Sequence, residues 1–353
     1  MKIAITADLH LTPRKEHPER YLALENIFEQ IEGESIQHLV VAGDLFHADL
    51  QDFSEFEALC TAHKAVHVHV IPGNHDGRLR EASVLSENVT VYEEPGWASP
   101  DPEGPPILMI PYLARTTMGE AIEGCAQHLP DGGWVLVGHG DWSEGMRVRN
   151  PLEPGVYMPL TSQDVGRYRP QRVFLGHIHV PCGRGLVHYP GSPYPLDITE
   201  TGKRRFIVYE PTTDVVETRL VDSEVIYFDE TFVVVPLEDE KGYLEKQIRD
   251  RIAAWDLAEK DRTKVRVRVR VRGYCTDRRV LGEVTQRTFR GFAFYEDAEP
   301  DLSELRVSDD LDLQTISGNV LARIESLEWG GGGDEPSKED VVLAALQTIY
   351  GGR

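Results

Sequence analysis

IAITADLH, residues 3–10, decides the reading: a short apolar run followed at once by a carboxylate and an imidazole, Asp8 and His10. The same form recurs along the first 220 residues. Gly43 and Asp44 follow the run 38–42, and Gly73, Asn74, His75 and Asp76 follow 66–71. Gly138 and His139 follow 134–137; Gly176, His177 and His179 follow 173–175. Short apolar runs bounded by turn residues predict buried strands. Tyr21, Leu24, Ile27, Phe28 and Ile31 recur at helical spacing between them, as do Phe53, Phe56, Leu59 and Cys60. Strands alternating with helices, with a further strand at 107–110, predict a layered α/β domain. The runs 186–189, 206–209 and 215–220 follow one another without helices and predict antiparallel members of a sheet.

In open α/β sheets, ligands bind beyond the carboxyl ends of the strands. Glycine lets the backbone turn sharply and come close there. A single D-x-H or H-x-H says little, because two such side chains on a strand merely share a face. Five strand ends in chain order, all carrying nitrogen and oxygen donors, predict a metal centre. Two divalent cations about 3.5–4 Å apart need a bridging group, and a carboxylate suits that place. Asp44 is the expected bridge. Asp8, His10 and His179 would complete one shell, and Asn74, His139 and His177 the other. Imidazole and oxygen donors without thiolate favour Mn, Fe or Zn. His67 and His69 alternate on one strand and read as structural.

The ordered set D-x-H, G-D, G-N-H-D, G-H and G-H-x-H resembles the calcineurin-like metallophosphoesterase superfamily over roughly residues 1–220. The resemblance implies a four-layer α/β/β/α sandwich with a dinuclear site. It also gives His75 a role outside the metal shell, protonating the leaving oxygen or stabilising the transition state. Asp76 would then orient His75 or its loop. Two further stretches, GDLFH (43–47) and YPGSPYPLD (189–197), resemble the SbcD exonuclease subfamily. That narrower likeness implies an exonuclease, with endonuclease activity also open, acting on DNA with two Mn ions. It further implies a small α+β capping domain, an SbcC-type ATPase partner and a homodimer. His47, three residues after Asp44, is expected to turn back toward the metals or the substrate.

At 353 residues the chain fits two domains with a short third piece. The expected division is a nuclease domain at 1–222, a capping and DNA-contacting domain at 223–310 and a tail at 311–353. In the second region we expect strands at 231–235, 264–272 and 288–295 and a helix at 243–257. KVRVRVRVR (264–272) alternates strictly, so Val265, Val267, Val269 and Val271 face a core and Arg266, Arg268, Arg270 and Arg272 the other side. Arginines repeating at about 6.6 Å suit the phosphates of a DNA strand. They suit equally well a solvated face paired with nearby acids. Arg14, Lys15 and Arg20 follow His10, and that nearness alone makes them candidate contacts to the DNA backbone. In the tail, Ser337 starts a helix behind the glycines at 330–333; its apolar residues are expected to pack on the protein itself, while the narrower resemblance implies that the ATPase docks there.

Composition sets the limits. The formal net charge is −22, which disfavours a protein binding nucleic acid by overall charge alone. No apolar run is long enough to span a bilayer. The N-terminus has no secretory pattern, and the four scattered cysteines form no C-x-x-C pair, so a reduced, cytoplasmic protein is expected. Two rivals share the same residues: a small-molecule phosphodiesterase, such as a cyclic-nucleotide hydrolase, and a DNA-end-binding scaffold for an ATPase.

Overall fold

The computed structural model describes residues 1–47, 52–80, 84–130, 133–143, 155–327 and 336–351. The glycines at 330–333 lie outside the described residues. The chain divides into two compact units, Met1–Leu196 with Lys203–Glu224, and Asp197–Gly202 with Val225–Arg353.

The first unit contains strands β1 (Ile3–Thr6), β2 (His38–Ala42), β3 (His67–Ile71), β4 (Val89–Val91), β5 (Gly96–Ala98), β6 (Ile107–Ile110), β7 (Val135–His139), β8 (Arg172–Gly176), β9 (Cys182–Arg184), β10 (Val187–Tyr189), β11 (Arg205–Glu210) and β12 (Val215–Leu220). Its helices are α1 (Pro18–Gly33), α2 (Ser54–Ala62), α3 (Met118–Gly124) and α4 (Ser162–Tyr168). One sheet runs β12-β11-β1-β2-β3-β4 and the other β5-β6-β7-β8-β10-β9. β1 to β4 are mutually parallel, as are β6, β7, β8 and β10. The late strands β11 and β12 are antiparallel members.

The alternation of side chains along these strands builds the layers. Leu39 and Val41 pack with Leu24, Phe28 and Phe56 of α1 and α2. Val40 and Ala42, on the opposite face of β2, pack with Val135, Val137 and Met109 of the second sheet. Leu108, Leu136 and Val173 face outward again, against Met118 and Ile122 of α3. Three apolar cores separate four layers, helix, sheet, sheet and helix, as the resemblance implied. Strands buried on both faces explain why the runs read as nearly continuous apolar sequence. The short helices α3 and α4 begin with capping boxes, Thr117 with Glu120 and Thr161 with Asp164.

The second unit carries β13 (Ile226–Val234), β14 (Val265–Cys275), β15 (Ala293–Phe294) and β16 (Leu305–Val307) in a parallel sheet, with α5 (Glu240–Ala254), α6 (Arg278–Thr288), α7 (Leu311–Glu325) and α8 (Lys338–Gly351). The valines of β14 pack against Leu244 and Ile248 of α5 and Leu281 and Val284 of α6. Val233, Val235 and Tyr274 pack with α7 and α8. The strand expected at 288–295 is a correction. α6 extends to Thr288, and only Ala293–Phe294 pair as strand. Asp277 caps the helix by accepting from the Val280 N–H, and Leu281, Val284 and Thr285 form its buried stripe. Ser337 caps α8 through its hydroxyl and the Asp340 N–H, 3.1 Å apart.

Candidate metal centre

The strand ends of β1, β2, β3, β7 and β8 bring their polar residues to one place. Two loops are zipped together by backbone bonds: Asp8 N–H to the Gly43 carbonyl at 3.0 Å and His10 N–H to the Asp44 carbonyl at 2.9 Å. Four of the expected ligands sit in the left-handed region, Asp8 (φ 56°), His10 (φ 45°), Asp44 (φ 50°) and His177 (φ 96°). Non-glycine residues enter that region at a cost, which a folded protein tolerates where the surrounding structure fixes it. The glycines have a steric reason. A Cβ on Gly73 would run into the Asp44 carboxylate, and one on Gly176 into the Ala42 carbonyl and the His139 ring. Those two positions let adjacent loops approach closely enough to share ligands.

One cluster joins Asp8, His10 and His179, a second joins Asp8, Asp44 and His139, and a third joins His10 with His47 and His75; within each, the donor atoms lie within 4.8 Å of one another. His10 Nε2 is 3.2 Å from His179 Nε2, and Asp44 Oδ2 is 3.6 Å from His10 Nε2 and 3.4 Å from His139 Nε2. Asp44 therefore stands between the two sets of imidazoles. Asn74 Oδ1 lies 2.9 Å from His139 Nε2. His177 is beside His139, ring centroids 5.5 Å apart, and its backbone N–H donates to Asp8 Oδ1 at 2.9 Å. His139 Nδ1 faces the Ala42 carbonyl at 3.0 Å. A donor bond there leaves Nε2 as the ligating atom.

The donor set fits divalent cations. Seven oxygen and nitrogen donors converge without a thiol. Buried Asp8 Oδ2 has no hydrogen-bond partner among the described residues, as expected of an oxygen whose partner is an ion. The electrostatics agree. Burial pushes the Asp8 carboxyl up to about 6. Burial also works against Asp44, but His139 and His10 outweigh it and hold its carboxyl well below the usual range. His139 is pushed up to about 10 because Asp44 outweighs its burial. Burial lowers His10, and lowers His177 to about 3. Without an ion, a proton on His139 offsets the Asp44 charge; an ion would take over that function.

His75 donates its backbone N–H to Asp44 Oδ1 at 2.9 Å, which places its ring 4.8 Å from the His10 ring. The His47 ring lies 5.7 Å from both. His47 is exposed and His75 half-buried, so both line the open side of the centre. Asp76 is buried and accepts from the backbone N–H groups of Leu45 (3.0 Å), Phe46 (2.8 Å) and Gly73 (2.9 Å). It ties the Asp44 loop to the Asn74–His75 loop, which makes it a positioning residue.

The basic residues are differently placed. Arg14 pairs with Glu25 at 2.6 Å, and Arg20 donates to the His10 carbonyl, while Lys15 is exposed. In the second unit, Arg268 and Arg270 both bond Asp229, at 2.7 and 2.8 Å, and Arg272 pairs with Glu304 at 2.9 Å. Arg266 donates to the Thr263 and Val265 carbonyls. Sequence reasoning missed Tyr157, whose ring is 4.6 Å from that of His177, and Asp141, whose Oδ1 is 3.9 Å from His177 Nε2. The position of Asp141, two residues past His139, was the available signal; Tyr157 had none.

A family model described as calcineurin-like phosphoesterase matches residues 1–208. No curated protein matches the chain. Among solved structures, one reported as a novel archaeal phosphodiesterase is similar at 14% identity, covering 62% of this chain and 99% of that one, with a TM-score of 0.34. A purple acid phosphatase from yellow lupin seeds is similar at 15% identity, covering 64% and 52%, with a TM-score of 0.42. GAP50 of Plasmodium is similar at 11% identity, covering 62% and 84%, with a TM-score of 0.41.

Proposed function

The chain belongs to the calcineurin-like phosphoesterase family and is a metal-dependent phosphoester hydrolase, and from that premise we propose that it is a DNA nuclease using two Mn ions. The observation that carries the proposal is the convergence of Asp8, His10, Asp44, His139 and His179 beneath an open rim formed by His47 and His75. When bound, the ions would activate water and neutralise the phosphoryl oxygens. Asp44 would bridge them, with Asp8, His10 and His179 on one side and Asn74, His139 and His177 on the other. His75 stands outside these shells, held by its own N–H on Asp44, and would give a proton to the departing sugar oxygen. His47 shares that rim and would contact the phosphate.

The DNA substrate is inferred from the GDLFH and YPGSPYPLD stretches and from the basic strand β14. The same likeness leads us to propose exonuclease activity, an SbcC-type ATPase partner and a homodimer. A second reading, a small-molecule phosphodiesterase, is favoured by one observation: three of the four β14 arginines are already paired with acids. The test is hydrolysis of an end-labelled linear duplex with Mn, with and without chelator, beside a chromogenic phosphodiester. Chelator-sensitive shortening that is lost in His75→Ser supports the nuclease. Hydrolysis of the small diester alone supports the second reading.

A further inference from the structure

Arg204 is the largest fully buried side chain among the described residues, 1% exposed, and the chemistry above does not use it. A guanidinium keeps its charge and five N–H donors at any working pH, so its burial demands acceptors. Its acceptors lie around one metal position. Nη2 donates to the His179 carbonyl and, at 2.7 Å, to Ser192 Oγ; Nε donates to the Ser192 carbonyl at 2.8 Å. The His179 carbonyl also receives the Ser192 N–H at 3.0 Å. Gly191 (φ 73°) allows this closure, since a Cβ there would strike Pro181 and the His179 carbonyl. In the same donor cluster, Arg20 donates to the carbonyl of His10. His10 and His179 are thus the two histidines of one proposed shell, Nε2 to Nε2 at 3.2 Å, and each has its carbonyl held by an arginine. In the other shell, His139 has its ring Nδ1 facing the Ala42 carbonyl.

We propose that Arg204 and Arg20 are positioning residues for one metal position only, the one formed by Asp8, His10 and His179. Holding a carbonyl restrains the peptide plane that follows the residue, and so narrows the directions open to its Cα–Cβ bond. The two arginines therefore set the angle at which the two imidazoles meet, without contacting an ion. The inference rests on assigning His10 and His179 as ligands of a two-ion centre.

The test is Mn binding to the full chain stripped with chelator, read by equilibrium dialysis and by the spin-coupled dinuclear signal in electron paramagnetic resonance. Wild type should take two ions. Arg204→Met and Arg20→Met should hold one ion as tightly as wild type and the other about 10–100-fold more weakly, the usual effect of losing an outer-shell partner, with the coupled signal replaced by a mononuclear one. Arg204→Lys should recover part of the lost affinity. Ser192→Ala removes one acceptor without stranding a buried charge, so it and Arg20→Met carry the test if Arg204→Met does not fold. Tight binding of two ions by all folded variants would overturn the proposal, as would equal weakening of both ions. Fewer than two ions on wild type would overturn the two-ion assignment itself, and the proposal with it.

Discussion

Lowering the pH should weaken the first unit through a buried histidine that is not one of the expected metal ligands. His69 on β3 is 6% exposed, with Nε2 at 3.0 Å from His38 Nδ1 and Nδ1 at 3.1 Å from the Tyr92 hydroxyl. The His67 ring lies tilted against it, centroids 4.6 Å apart, and bonds Thr90. Burial, then the neighbouring imidazoles, lower His69 from 6.5 to about 3. His38 and His67 are lowered in the same direction. Between those values the unfolded chain binds the proton and the folded one does not, so stability rises with pH across that window and falls as pH drops through it. At pH 5, about one and a half units below the ordinary value, the penalty from His69 is about 2 kcal/mol at ~1.4 kcal/mol per unit. The perturbation is a change from about pH 7.5 to pH 5 in metal-free protein, for wild type and for His69→Phe, which keeps an aromatic ring but cannot titrate. Urea unfolding followed by circular dichroism reads the difference. Wild type should lose about 2 kcal/mol more than the variant. The same pH dependence in both would refute the argument, because acid loss would then come from other groups.

His75→Ser should retain both metal ions and lose about 10²–10⁴-fold in hydrolysis, measured on a chromogenic diester beside metal content; loss of metal would show that His75 is a ligand. Asp76→Ala strands three backbone N–H donors, so at 1–3 kcal/mol each it should destabilise by about 3 kcal/mol or more; a change under about 1 kcal/mol in urea unfolding would refute its role as the tie between loops. Metal uptake should release a proton from His139, whose pKa is pushed up to about 10, so affinity should fall as pH falls. Calorimetry in buffers of different ionisation heat measures that release, and a buffer-independent heat would count against it.

The α/β layering was legible because doubly buried strands leave a plain mark: an apolar run too short for a helix, closed by glycine. The donors at the strand ends were legible for the same reason, since a strand's direction alone determines which end its last residues reach. What the pattern could not carry was contact at a distance in the chain. Asp76 is expected to orient His75 or its loop, and its carboxylate does hold the Gly73 N–H of that loop; the pattern does not show that it also serves the N–H groups of Leu45 and Phe46, about thirty residues away. Nearness to His10 in sequence makes Arg20 a candidate DNA contact, and it does not show that the guanidinium donates to that residue's own carbonyl. The strand at 288–295 failed differently. A cap eleven residues before its expected start, at Asp277, commits the chain to a helix that ends only at Thr288.

The arginine strand marks the boundary between these cases. Alternation predicted that Val265, Val267, Val269 and Val271 share a face, and they are buried together against α5 and α6. It also put the arginines on the other face. Whether a cation on that face is free to meet a phosphate depends on which strand lies beside it. β13 runs parallel to β14 with Asp229 opposite Arg268, so the carboxylate is delivered to two guanidiniums by sheet register, which the sequence of β14 alone does not encode. A phosphate backbone approaching this face would therefore have to compete with Asp229 and Glu304 for Arg268, Arg270 and Arg272. Each displaced carboxylate must be resolvated or find another cation, so the net gain per contact is smaller than for a free arginine, and the chain's charge of −22 adds repulsion at long range. If the protein binds DNA, affinity should thus rest more on the metal centre and its rim than on this strand.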